Sequence, residues 1–203
     1  EYLYTMPYST IAKYDVGKRP STVWPGKEQS PAIKPLATEL IDSVENYVKA
    51  NGLDPMRYNI EIKCRKGKDE GKNWPEYHEF VDKCMELLLS KNLGDRLVVQ
   101  CFDARALNYM HEKYPQVKLS YLIRKMDTDW DTYMGRLNFT PDWLSPEFVI
   151  VDQTMVDNCR KAGIRLVPWT VDNEADIRRI LDLHVEAIIT NYPDRVLKIT
   201  RGY

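Results

Sequence analysis

Apolar positions along this chain switch repeatedly between two periods. Leu36, Leu40, Ile41, Val44 and Val48 fall at three- and four-residue spacing on one helical face, and Asn51-Gly52 supplies a stop. Tyr58-Asn59-Ile60-Glu61-Ile62-Lys63-Cys64 then alternates, as a strand does. Ile60 and Ile62 share one face, and Asn59, Glu61 and Lys63 the other. Tyr77, Phe80, Val81, Cys84, Leu87 and Leu88 return to the helical period. The pattern continues with strand Leu97–Phe102, helix Ala104–Tyr114, strand Val117–Ile123 and a short helix around Trp130–Arg136. Strand Phe148–Asp152 leads to helix Thr154–Ala162, ended by Gly163, and strand Ile164–Val171 leads to helix Glu174–Leu183, with Asp172 or Asn173 placed to cap it. Strand Ala187–Thr190 and a terminal helix opening on Pro193 complete the series.

Six strand-then-helix units after an initial helix imply an α/β fold with parallel strands and helices outside the sheet. The choice lies between a (β/α)8 barrel and an open doubly wound sheet. Neither a GxGxxG fingerprint nor a P-loop is present. Polar or aromatic residues stand at the C-terminal ends of strands: Lys63, Asp103, Asp152, Trp169 and Asn191. Barrels build their sites on that rim, and open sheets bind ligands there too. Six units are two short of a barrel, so the expectation is an incomplete TIM (β/α)8 barrel. Residues 1–35, rich in Tyr, Pro, Ser and Lys, show no sustained period. They read as a loop or extended segment leading into the barrel, with one helical turn near Thr10–Lys13. Residues 36–203 then read as βα units 3–8.

Glu61 and Lys63 are the conspicuous charges. The strands that follow are nearly continuous apolar runs, the mark of strands covered on both faces. Charges inside such a sheet must pair with each other, bind a metal or reach a cavity. They are therefore either site residues or a structural pair. Composition narrows the field: 29 Lys and Arg balance 30 Asp and Glu in 203 residues, which gives no reason to expect a nucleic-acid partner. No apolar run approaches the roughly 20 residues of a transmembrane helix. The compartment stays open, periplasmic or exported on one side and cytoplasmic on the other. Cys64, Cys84, Cys101 and Cys159 are widely spaced in apolar elements, which favours buried thiols over a zinc site. His78, His111 and His184 lie in or beside predicted helices and read as surface or packing residues. The charged stretch Arg65–Lys72 reads as solvated loop.

Four stretches together carry a resemblance. Asn59-Ile60-Glu61-Ile62-Lys63, Gln100-Cys101-Phe102-Asp103, Val167-Pro168-Trp169-Thr170-Val171-Asp172-Asn173 and Ala187-Ile188-Ile189-Thr190-Asn191-Tyr192-Pro193-Asp194 resemble, in order and spacing, the later motifs of glycerophosphodiester phosphodiesterases. The resemblance implies a TIM barrel that hydrolyses glycerophosphodiesters to glycerol 3-phosphate and an alcohol with a divalent metal, Mg²⁺ or Ca²⁺. By the same resemblance Glu61 matches a metal carboxylate and Lys63 a catalytic lysine near the phosphate. Trp169 matches the aromatic lining the glycerol side, and Phe102 a residue at the mouth of its strand.

The chain also departs from the pattern. His184-Val185-Glu186-Ala187 stands where Gly-Val-Asp-Gly is usual, and Asn191 replaces a common Asp. The His-Arg-Gly strand, the Glu-x-Asp metal pair and the His-Asp pair of the family's front end have no match. The expectation is that this chain is the C-terminal part of such an enzyme, inactive by itself and able to self-associate through open barrel edges. A non-catalytic barrel that binds a polyol or glycerol phosphate, and a related phospholipase-type barrel, are the alternatives.

Overall fold

The computed structural model describes residues 2–201 apart from 21, 23–25, 27, 69–70 and 72–73. The chain divides into two compact units. The first comprises Glu1–Met56 and Gly67–Leu93. After a 3₁₀ turn at Leu3–Thr5 it contains α1 (Tyr8–Ile11), α2 (Ala37–Ala50) and α3 (Tyr77–Leu89). The helical turn expected at Thr10–Lys13 forms two residues earlier, directly after Pro7. Ile41 and Val48 of α2, and Val81, Met85 and Leu88 of α3, are the buried members of their apolar stripes. A Lys91–Asp42 ion pair of 2.7 Å ties the end of α3 to α2.

The front segment has local order that its composition does not announce. The Asp15 carboxylate accepts hydrogen bonds from the Gly17 and Lys18 amides (2.9 and 2.7 Å), an Asx turn, and Val16 N–H donates to Ala32 O (2.8 Å). A Cβ at Gly17 would sit 1.9 Å from Ser30 O, so only glycine fits this close approach. In the charged stretch Arg65–Lys72, residues 65–68 are exposed, as a solvated loop should be, while Asp69, Glu70 and Lys72 lie outside the described residues.

The second unit comprises Arg57–Lys66 and Gly94–Tyr203. It holds a five-stranded parallel sheet in the order β1 (Tyr58–Glu61), β2 (Leu97–Cys101), β3 (Lys118–Ile123), β4 (Trp143–Pro146), β5 (Arg165–Leu166). Strand order follows chain order, as successive right-handed βα units dictate. The connecting helices are α4 (Ala104–Lys113), α5 (Trp130–Met134), α6 (Gln153–Ala162), α7 (Glu174–Asp182) and α8 (Pro193–Arg201). This is an incomplete TIM-type (β/α) arrangement.

Side-chain alternation gives the sheet two chemically different faces. Val99, Cys101, Leu119, Tyr121, Ile123, Leu144 and Leu166 are buried on one, and α4 packs against β2 and β3. The other carries a ladder of small polar groups. Asn59 Nδ2 donates to Gln100 Oε1 (3.1 Å), Ser145 Oγ reaches the same oxygen (3.4 Å), and the Ser120 and Ser145 hydroxyls share a 2.9 Å bond. Ser120 and Ser145 are fully buried, so this satisfaction is obligatory.

Helix boundaries follow the sequence signals closely. Gly163 ends α6 in the left-handed conformation (φ 70°), Asp152 caps α6 through Met155 N–H, and Asn173, not Asp172, caps α7. Three strands differ from expectation. Phe148–Ile150 is a 3₁₀ turn, and the fourth strand is Trp143-Leu144-Ser145-Pro146 upstream of it. The apolar run lies beyond the sheet, with Val149 52% exposed. Pro146 is tolerated because the next amide, Glu147 N–H, donates to Ile123 O (2.9 Å). Residues 187–190 run beside β5 without forming a regular strand. Ile189 N–H donates to Pro168 O (2.8 Å) and Val171 N–H to Ile189 O (2.9 Å). Likewise only Arg165–Leu166 of Ile164–Val171 is ladder, with one further parallel bridge between Glu147 and Trp169.

Candidate active site

Parallel strands bring their C-terminal ends to one rim, and the register decides which side chains share a face there. Glu61 pairs with Gln100 across β1 and β2. Gln100 belongs to the polar face, so Glu61 does too, and Lys63 and Phe102, each two residues further, follow by alternation. The Lys63 ammonium meets the Glu61 carboxylate at 2.6 Å. The side chain of Glu61 is 24% exposed and that of Lys63 69% exposed. The pair is therefore not buried within the sheet. β1 ends at Glu61, and Lys63 stands where the chain leaves the ladder.

The aromatic pair is a second couple on this rim. Phe102 and Trp169 meet edge to face with ring centroids 5.4 Å apart, a favoured geometry for two quadrupoles. Trp169 Nε1 donates to Ser145 O (2.9 Å), which fixes the indole against β4. The structure thus joins Glu61 to Lys63 and Phe102 to Trp169. No hydrogen bond or ring contact links one couple to the other among the described residues.

Other strand-end residues have local duties. Asp103 caps α4, accepting from Arg105 N–H (3.0 Å) and pairing with its guanidinium at 2.6 Å. Asp152 is the α6 cap. Cys101 lies on the apolar face behind Phe102. A hydrogen bond from Cys64 holds its thiol below the ordinary value, and the Asp103 amide lies 3.3 Å from its sulfur. His78, His111 and His184 are exposed. His111 stacks on Phe139 with centroids 4.1 Å apart, a packing role.

One rim residue is missing from the sequence reading. Arg124 directly follows β3, and its guanidinium lies 4.6 Å from the centre of the Phe102 ring. The rule that singled out Lys63 and Trp169, polar or aromatic side chains at strand ends, names Arg124 equally. It was hidden by Lys125 and Asp127 beside it, which make the stretch look like ordinary solvated loop.

The profile of the glycerophosphoryl diester phosphodiesterase family matches residues 2–195. The chain belongs to that family. Glycerophosphodiester phosphodiesterases of Bacillus subtilis (strain 168) and Caldanaerobacter subterraneus are 30% identical over 120 residues and 24% identical over 126. Those alignments take in 58% and 62% of this chain, but only 41% and 51% of the relatives, so the chain spans about half their length. Among solved structures, a candidate family member from Silicibacter pomeroyi superposes with a TM-score of 0.80 at 24% identity, covering 97% of this chain and 68% of its own. An Oleispira antarctica phosphodiesterase, solved with sn-glycerol-3-phosphate, superposes with a TM-score of 0.69 at 19% identity, covering 96% and 70%. Both likenesses concern the fold.

Within the family's metal-dependent chemistry, the donor set of this chain can be tested directly. A hard divalent cation takes about six or more oxygen ligands, usually including several carboxylates. The described residues contain no group of three or more His, Cys, Asp or Glu that could hold one. Glu61 offers a single carboxylate, with one oxygen engaged by Lys63. These residues alone do not fit a divalent cation.

Proposed function

We propose that this chain forms the phosphate- and glycerol-facing rim of a barrel that hydrolyses glycerophosphodiesters to glycerol 3-phosphate and an alcohol. Family membership, with Glu61 and Lys63 on the same face at the end of β1, is the observation that carries this reading. Lys63 extends its charge to where a phosphodiester would lie, and a compact ammonium suits phosphoryl oxygens that gain charge in the transition state. Trp169 gives the carbon skeleton of glycerol an apolar wall, and Phe102, at the mouth of its strand, lines the outer edge of the site toward the alcohol portion. Glu61 orients Lys63 and is the candidate donor toward Mg²⁺ or Ca²⁺. The product held by the Oleispira antarctica neighbour is consistent with this assignment.

The reading makes the 203-residue chain inactive by itself. Among the described residues no cluster of His, Cys, Asp or Glu could hold a metal, the strand-end acids Asp103 and Asp152 cap helices, and the three histidines are exposed in or beside helices, so acid–base groups and further ligands must come from completion of the barrel. The same poverty favours a second reading, a barrel that binds glycerol phosphate without turnover.

Coupled detection of released glycerol 3-phosphate, with glycerophosphoethanolamine and excess Mg²⁺ or Ca²⁺, separates them. In the protein completed by upstream barrel units, turnover is expected. Lys63→Ala should lower kcat by on the order of 10²–10³, the cost of one electrostatic contact in a transition state. Glu61→Gln should weaken metal dependence and activity together. Turnover by the chain alone would show that the proton-transfer groups have been misplaced. No turnover by the completed protein would leave the binding reading.

A further inference from the structure

The charges around the rim are unevenly satisfied. Lys63 is engaged by Glu61, Arg105 by Asp103, and Arg136 by Asp127 at 2.8 Å. The guanidinium of Arg124 meets no carboxylate, carbonyl or hydroxyl among the described residues. It lies over the Phe102 ring. The nearby acids are committed elsewhere. Asp127 Oδ2 accepts the Arg124 backbone N–H (3.0 Å) while Oδ1 holds Arg136, and Glu147 Oε2 accepts Lys125 N–H (2.9 Å). The backbone of Arg124 is thus pinned, its guanidinium lies over an aromatic face, and the residue is exposed. Alternation from Ser120 through Leu122 puts it on the polar face with Ser145 and Gln100.

Two consequences follow for a substrate. A guanidinium, planar and forked, can take a carboxylate or phosphate through two parallel hydrogen bonds. A quaternary ammonium, in contrast, seeks the face of an aromatic ring. On Phe102 that seat is already filled by a protein cation, which would also repel the newcomer.

We infer that Arg124 is a specificity-determining residue of the rim, selecting diesters whose alcohol portion carries a carboxylate or second phosphate over those carrying a quaternary ammonium. This rests on the glycerophosphodiester reading for the class of ligand. It does not require turnover by the chain.

The test is therefore a binding measurement. Titration calorimetry of the 203-residue chain with glycerophosphoserine and glycerophosphocholine gives a ratio of dissociation constants. The same ratio is measured for Arg124→Gln and Arg124→Lys, with folding of each variant checked by circular dichroism. The wild-type chain should prefer the serine diester by about tenfold, the increment expected of one charge-assisted contact near solvent. Arg124→Gln should bring the ratio to within about twofold of one, and Arg124→Lys should fall between, having charge without the planar fork. An equal loss for both diesters in Arg124→Gln would place the arginine on the shared phosphate and overturn the inference. So would an unchanged ratio, or no binding of either diester by the wild-type chain. Failure of the hydrolysis assay with this preference intact would defeat the enzymatic reading alone.

Discussion

The carboxylate of Asp172 anchors the segment between α7 and α8, and exchanging it with its partner tests how. It accepts three hydrogen bonds: from Thr190 Oγ1 (3.1 Å), Asn191 N–H (2.8 Å) and Asn191 Nδ2 (2.9 Å). Asn191 stands where the family commonly has Asp. In Asn191→Asp the side-chain donor becomes a second carboxylate at contact distance from the first. A hydrogen bond to a charged acceptor contributes about 1.5–3 kcal/mol, and repulsion adds to its loss. Exposure at Asn191 argues for the lower end, so about 2 kcal/mol is expected at pH 7. For a chain of this size that is about 4–8 °C in Tm. Asp172→Asn keeps the backbone bond but loses its charge assistance, for about 1 kcal/mol. The double exchange Asp172→Asn with Asn191→Asp rebuilds one acceptor facing one donor. It should recover most of the loss, giving a coupling energy of about 1–2 kcal/mol.

The pH dependence supplies an independent sign. Burial works against the Asp172 charge, but the hydrogen bonds from Asn191 and Thr190 outweigh it and hold the carboxyl below its ordinary value. A depressed folded pKa stabilises above the unfolded value of about 3.9, and that contribution is lost as pH falls through the folded value. The deficit of Asp172→Asn should therefore be full at pH 7 and shrink below about pH 4. The deficit of Asn191→Asp should also shrink on acidification, as one of two crowded carboxyls takes up a proton. Urea unfolding of the four proteins at pH 7 and pH 3.5 measures all of this. A double exchange no more stable than Asn191→Asp would refute the reasoning, since the segment would then be held by something other than this pairing.

Three further outcomes are expected. Ser145→Ala strips the Ser120 hydroxyl of its 2.9 Å partner inside the sheet and should cost about 1–3 kcal/mol by denaturant titration, with Ser120→Ala on that background costing much less than alone. Asp152→Ala removes the 2.8 Å bond to Met155 N–H at the start of α6 and should lower stability by about 1 kcal/mol, or about 2–4 °C in Tm. Burial pushes the Cys84 thiol up to about 11 and the Cys159 thiol up to about 12, so both should resist a thiol-specific disulfide reagent at pH 8 and react on unfolding. Native-state labelling of Cys159 faster than unfolding would contradict that assignment.

The sequence by itself determined the fold class, because helix and strand periods, caps and breakers act over a few residues. Gly163 at φ 70°, the Asp152 cap and the α2 stop at Asn51 all need only their neighbours. The same locality made Glu61, Lys63 and Trp169 readable as strand-end residues, and four motifs in register named the family. Tertiary structure decided what depends on partners distant in the chain. Phe148-Val149-Ile150 has ideal strand composition, yet the ladder closes on Ser145 and Pro146, because β3 and Trp169 offer their backbone groups there. Glu61 and Lys63 looked like buried charges, but β1 ends early and leaves the lysine in solvent. The strand-end rule names Arg124 from the sequence alone, but only the tertiary structure set its guanidinium over Phe102, from another strand. Periodicity reports which way a side chain points, and only the pairing of strands reports what it meets there.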